Sequence, residues 1–172
     1  MISKNYLSNM LNINSYNDFL FESKDDGGFV PNTVYHNSPS IINNLTESPM
    51  WFSLDLKNGE EYYNNRIFDS GESYLYEGIV KDQIPHIYSD VIVNLFNDGG
   101  IDIEEWIGDI VSNPDEEEVM SLDGTKLLMD NGYSGIIYPD YDPSDPNEDI
   151  DTLIIFNPRK TVTGFRLIKA SN

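Results

Sequence analysis

Cysteine is absent from this chain of 172 residues, which excludes a disulfide framework and a thiolate metal centre. Histidine is nearly absent: His36 and His86 are the only 2, too few for a multi-histidine metal site, so no metal is expected. No apolar run is long enough to span a bilayer. The first residues lack the basic flank and continuous apolar core of a secretory signal, so neither a membrane nor secretion is expected. Cationic residues are scarce too, with 10 Lys and Arg against 30 Asp and Glu and a formal net charge of -20. Such a surface repels nucleic-acid phosphates and anionic membranes, so no direct nucleic-acid binding is expected. It suits a basic protein partner or mimicry of a polyanion, and solubility alone also accounts for it.

What is present is enough to fold. Hydrophobic residues are 39% and aromatics 12%, well above a disordered composition, and the length suits one domain. Residues 1–28 read as an appended segment and 29–172 as the domain. Within the segment, Ser15 can cap a short helix through Glu22, with Asp18 at the capping-box offset and Tyr16, Phe19 and Leu20 on one face. Ser23 to Gly28 is a flexible break.

Thr33 to Ser38 reads as a short strand after the turn chemistry of Pro31-Asn32, and it sets His36 where a loop begins. Pro39 suits the start of a helical turn through Ile42. Met50 to Ser53 is an apolar strand ending in a hydroxyl. Leu54 to Asn65 follows as a helix that Gly59 weakens, with Tyr62 half-buried on it. Ser73 to Val80 alternates as a strand. Residues 89–98 form a helix capped by Ser89 or Asp90 and stopped by Gly99-Gly100, and Ile103 to Val111 forms another. Pro114 to Glu118 reads as acidic loop, and Leu122 to Met129 as a short helix ended by Asn131-Gly132. Ser134 to Tyr138, Thr152 to Phe156 and Gly164 to Ile168 are strands. Between the first two of these, Pro139 to Asp151 is an acidic, proline-rich loop. Its alternating oxygens have the spacing of a calcium loop, but Asp145 stands where such a loop needs Gly and Asp151 where it needs Glu. The sum is an α+β fold with a mostly antiparallel, split β-sheet.

The order of these segments resembles the ADP-ribosyltransferase fold, in its diphtheria-toxin and poly-ADP-ribose-polymerase branch. The motifs that carry the likeness are Tyr35-His36, then Trp51-Phe52-Ser53, then Tyr62. Gly132-Tyr133-Ser134-Gly135 follows, and Ile154-Ile155-Phe156-Asn157-Pro158 closes the series. The resemblance implies NAD as the substrate cofactor. In it His36 bonds the adenosine ribose, Tyr35 and Ser38 line the pocket, and Tyr62 stacks on the nicotinamide across the same groove. Ser53 orients Tyr62 or touches the ribose. A carboxylate stabilises the oxocarbenium-like ribose as the nicotinamide leaves. Here the chain departs from the family: Thr152 stands in the place of the family Glu, and Asn37 where Gly commonly follows the strand His. Asp151, beside Thr152, is the replacement carboxylate, offset by one residue.

The expected activity is mono-ADP-ribosyl transfer from NAD to a host protein. The alternatives are a catalytically degenerate binder or inhibitor on the same fold, or a structural virion protein. The helix at Tyr16–Ser23 also resembles the capsid-targeting peptide of internal head proteins of T-even-type phages. That implies a phage-encoded protein, packaged in the virion interior, processed after Glu22 and delivered to the host cytoplasm.

Overall fold

In a computed structural model, residues 28–29, 33–112, 115–141 and 149–171 are described. The strands are β1 (Gly28–Phe29), β2 (Val34–Ser38), β3 (Met50–Ser53), β4 (Tyr74–Val80), β5 (Ile84–Pro85), β6 (Gly135–Tyr141), β7 (Asp149–Ile155) and β8 (Val162–Ala170). The helices are α1 (Leu56–Ser70), α2 (Asp90–Gly99), α3 (Ile103–Ser112), α4 (Glu116–Ser121), α5 (Asp123–Asp130) and α6 (Pro158–Thr161). Six strands form one sheet in the order β6-β7-β3-β2-β4-β8, every neighbour antiparallel, and β1 pairs with β5 apart from it. The fold is α+β, as the mixture of short strands and small helices predicts. No helix among the described residues is long and apolar enough to cross a membrane.

Strand alternation gives the sheet two buried faces. One carries Ile136, Tyr138 and Ile154, which join Ile92 and Phe96 of α2, Trp106 and Ile110 of α3, Val119 of α4 and Leu128 of α5 in a single core. Helix α1 packs further along that face, on the side of β2 and β4, where Gly59 lies against Tyr35 and Leu75. The opposite face carries Val34, Phe52, Leu153 and Ile155, packed with Ile84 of β5 and with Ile42 and Leu45 from the β2–β3 connection. Between Ile84 and Ile87 the chain turns around the β6 edge. His86 bridges Ile137 there, and the Ile87 amide donates to the Ile137 carbonyl at 2.8 Å.

Several elements differ from the expectation for local reasons. Glu116–Ser121 is a helix, not acidic loop. The Asp115 carboxylate accepts from the Glu117 and Glu118 amides, and three glutamates in the first turn complement the helix dipole. Ser38–Ile42 forms no helix. The Ser38 hydroxyl accepts from the Ser40 amide at 3.2 Å, a local turn that ends β2 without propagating. Helix α1 starts later and runs longer than its pattern, because Asp55 caps it by accepting from the Asn58 amide at 2.9 Å. Strands β6 and β7 run into the acidic stretch as far as Tyr141 and back from Asp149. Pro139 is tolerated because β6 is the last strand of its sheet. The expected helix at Ser15–Glu22, its processing site and the remainder of the acidic loop lie outside the described residues.

Candidate functional site

The sheet is split where the sequence places its Tyr-His motif. Strand β2 pairs with β4 along its whole length, from Val34↔Gly78 to Ser38↔Tyr74, but with β3 only at Tyr35↔Ser53. Beyond that point the imidazole of His36 takes the place of a ladder bond, its Nδ1 lying 2.7 Å from the Trp51 carbonyl oxygen. A carbonyl can only accept, so Nδ1 carries the proton. The ring also leans on Phe52, centroids 5.5 Å apart at 52°.

Around Tyr35 the register lines up one side chain from every strand. The row runs Tyr138, Thr152, Ser53, Tyr35, Glu77, Arg166 across β6, β7, β3, β2, β4 and β8. Directly opposed residues share a face, and this is the face that α1 covers. The Glu77 carboxylate accepts from Arg166 Nε at 2.6 Å. Tyr138 accepts from the Trp51 indole N–H at 3.0 Å. Ser53 and Thr152, in the middle, are 8% and 5% exposed. Neither hydroxyl is a sealed, unsatisfied group; among the described residues only the Ser89 hydroxyl is.

Helix α1 approaches this row closely at Gly59, where an added Cβ would stand 2.8 Å from Tyr35 Cβ. Tyr62, three residues on from Gly59, lies on the same side of the helix and is half-buried. The next residue, Tyr63, is buried beneath Lys169, whose Nζ sits 4.7 Å from the ring centroid.

Burial holds the Tyr35 phenol above its ordinary pKa of 10.0, and the negative charges of Glu77 and Asp55 push it further up. The folded protein therefore keeps a proton that the unfolded chain loses above pH 10. Stability from this group is complete below that pH and falls as pH rises toward the folded value. Tyr35→Phe is expected to flatten the alkaline limb of a stability-against-pH curve measured by urea denaturation, relative to the parent.

The sequence expectation set His36 and Tyr62 across one groove, and the structure does not bring them together. Adjacent residues of β2 point to opposite faces, so Tyr35 faces α1 while His36, with Val34 and Ser38, faces the core of Phe52 and Leu153. Tyr35, Ser53 and the helix of Tyr62 share one side of the sheet. His36, Ser38 and Asp151 share the other. No bulge interrupts β7 against β3 or β6, so Thr152 and Asp151 also face opposite ways. Asp151 and His36 do not meet, because Phe52 and Leu153 fill the space between their strands.

Asp151 has a partner that its neighbours in sequence do not announce. Its Oδ1 lies 3.3 Å from His86 Nε2, both side chains partly exposed. The Tyr88 amide donates to His86 Nδ1 at 3.2 Å, so Nε2 carries the proton and points it at Asp151. Both ring nitrogens are occupied in that arrangement, which suits a brace between β7 and the β6 edge better than a proton acceptor. The pairing spans 65 residues, and no local spacing could reveal it.

The Gly132–Gly135 motif has a structural explanation. Gly132 takes φ 85° at the end of α5, and at Gly135 a Cβ would stand 2.4 Å from the Ile154 carbonyl oxygen. A separate hollow of about 300 Å³ lies beside Trp106, among Asp102, Glu105, Asp109 and Asp123, and shares no residue with the row. Among the described residues no group of three His, Asp or Glu could hold a metal ion. No protein-family model, curated protein or solved structure matches the chain.

Proposed function

We propose that this chain is an ADP-ribosyltransferase-like protein that binds NAD at the split between β2 and β3, and that it acts by binding. The observation that carries this reading is the transverse register. Three motifs spread between residues 35 and 152 lie on neighbouring strands. Tyr35, Ser53 and the place of the family carboxylate, Thr152, fall in one row beneath α1. A polar row on a sheet otherwise packed with apolar residues, next to an interrupted ladder, is the arrangement a polar ligand requires.

Bond cleavage has less support. A hydroxyl at Thr152 cannot balance the positive charge of an oxocarbenium-like ribose as a carboxylate does. Transfer to a host protein is the second reading, favoured by one fact: the Asp151 carboxylate is partly exposed on the His36 side of the sheet. Labelled NAD that marks nothing in a host lysate removes it. In either case the charge of -20 suits a basic partner.

The test of binding is a thermal melt. NAD at a hundred times its dissociation constant is expected to raise the melting temperature by roughly 5–10 °C for a chain of this size. His36→Ala, which lets the split relax, is expected to remove the rise. No shift at millimolar NAD in the parent protein overturns the proposal.

A further inference from the structure

The hollow beside Trp106 is bounded by the turn after α2, by α3 and by the start of α5. Its lining sorts by depth. Trp106 and Gly124 are buried, Ile101 and Leu122 are partly buried, and together they make an apolar floor. Asp102, Glu105, Asp109 and Asp123 are exposed and make the rim. At about 300 Å³ the space stands at the small end of ligand pockets, which suits one small group or one side chain.

The rim charges select the occupant. Asp123 is paired with Lys126 at 3.5 Å. Asp102 is committed as well: its Oδ1 accepts from the Glu104 and Glu105 amides at 2.9 and 3.1 Å, and so offsets the positive end of α3. Glu105 and Asp109 remain. Among the described residues neither carboxylate has a hydrogen bond or an ion pair. They stand four residues apart on α3, where like charges repel. A positively charged occupant relieves that repulsion, and an anion is refused. A bare metal ion does not fit, because among the described residues no three acidic side chains converge to hold one. The floor adds a second demand, an apolar stem that carries the charge out to the rim.

We propose that this hollow receives an arginine side chain of a basic partner protein, its methylenes on the floor beside Trp106 and its guanidinium between Glu105 and Asp109. A guanidinium spreads its charge over a plane with five N–H donors and is weakly hydrated, so two separated carboxylates can share it. A lysine ammonium is compact and strongly hydrated, and gains less from the same pair. The net charge of -20 draws a basic protein from a distance, and the hollow supplies the place where one side chain anchors it. This holds whether or not NAD binds at the β2–β3 split.

Titration of the full chain with a short capped peptide of glycines around one arginine tests it, read by the two indole N–H resonances in a nitrogen–proton correlation spectrum. The peptide is expected to move the Trp106 resonance and saturate at roughly millimolar concentration, while the Trp51 resonance stays still. The same peptide with citrulline, which keeps the shape without the charge, should move neither, and the lysine peptide should bind several-fold more weakly. Glu105→Gln and Asp109→Asn lie at exposed sites and threaten no packing, and each is expected to weaken the arginine peptide about three- to tenfold. Asp82→Asn removes as much charge outside the hollow and should leave the affinity unchanged. No movement of the Trp106 resonance, or equal binding of citrulline, overturns the proposal. So does an affinity that falls as much in Asp82→Asn as in Glu105→Gln, since the peptide is then held by the acidic surface at large. Lysine binding as tightly as arginine overturns the choice of guanidinium. A melting-temperature rise with NAD that persists in Glu105→Gln keeps this outcome separate from that of the NAD reading.

Discussion

Trp106→Ala is expected to lower the unfolding free energy by about 3–5 kcal/mol, measured by chemical denaturation. A domain of ordinary stability has about 5–15 kcal/mol in total, so the variant stands at the margin of folding. Trp106 is 3% exposed and joins three helices at once. It meets Phe96 of α2 edge-to-face at 5.5 Å and donates its indole N–H to the Thr125 hydroxyl of α5 at 3.3 Å. It also lies so close to Gly124 that an added Cβ there would stand 2.5 Å from its ring. Removing the indole leaves a cavity that helices pinned to a sheet cannot readily close. Trp106→Phe keeps the ring contact but strands the fully buried Thr125 hydroxyl, so a loss of about 1–3 kcal/mol is expected from it. Val111→Ala, at an exposed site on the same helix, should stay within about 0.5 kcal/mol of the parent. A cost below about 1 kcal/mol for Trp106→Ala would mean that the helical layer is not held through this residue.

Thr152→Glu is expected to give the protein NAD-cleaving activity about a hundred- to a thousandfold above the parent, the size of effect that one well-placed electrostatic group supplies. The glutamate enters the row between Ser53 and Tyr138, where the proposed reading would seat NAD. As the nicotinamide leaves with the bonding electrons, positive charge develops on the sugar and the carboxylate offsets it. Water then adds to the anomeric carbon, giving ADP-ribose and releasing a proton. Nicotinamide release, followed by chromatography, reads the reaction. Thr152→Gln has the same shape without the charge and should remain at the parent level. Asp151→Ala in the Thr152→Glu background should change nothing, because Asp151 faces the other side of the sheet. A folded, NAD-binding Thr152→Glu protein that releases no nicotinamide would place the glycosidic bond elsewhere.

How far the sequence could be read depended on the range of the interactions involved. Strands β2, β3 and β4 and helices α2, α3 and α5 follow from periodicity and caps, which are local. Helix α4 was hidden because Asp115-Glu116-Glu117-Glu118 has the composition of a solvated loop. What makes it helical is the cap at Asp115 and the buried Val119. The adjacency of Tyr35, Ser53 and Thr152 was not legible, since nothing in residues 33–53 predicts which strand lies beyond β3. The meeting of His36 and Tyr62 failed for an elementary reason. Tyr35 and His36 are consecutive in an extended strand, so a helix that touches one cannot touch the other without crossing the sheet. The His86–Asp151 contact needed the fold itself.

The two ends of the large sheet differ in a way that bears on self-association. At one end the chain wraps β6 through the His86 bridge. At the other, β8 has no strand beyond it among the described residues, and Leu167 and Ile168 are exposed along it. Such a border invites strand pairing between copies. From Asn157 to the final residue the chain has no Asp or Glu, while Arg159, Lys160, Arg166 and Lys169 fall there, 4 of the 10 basic residues in the whole chain. Arg166 and Lys169 on that border are each paired with a glutamate, Glu77 and Glu60, so β8 carries little unbalanced charge of its own. What holds two such borders apart is the net negative charge that every copy of the molecule shares.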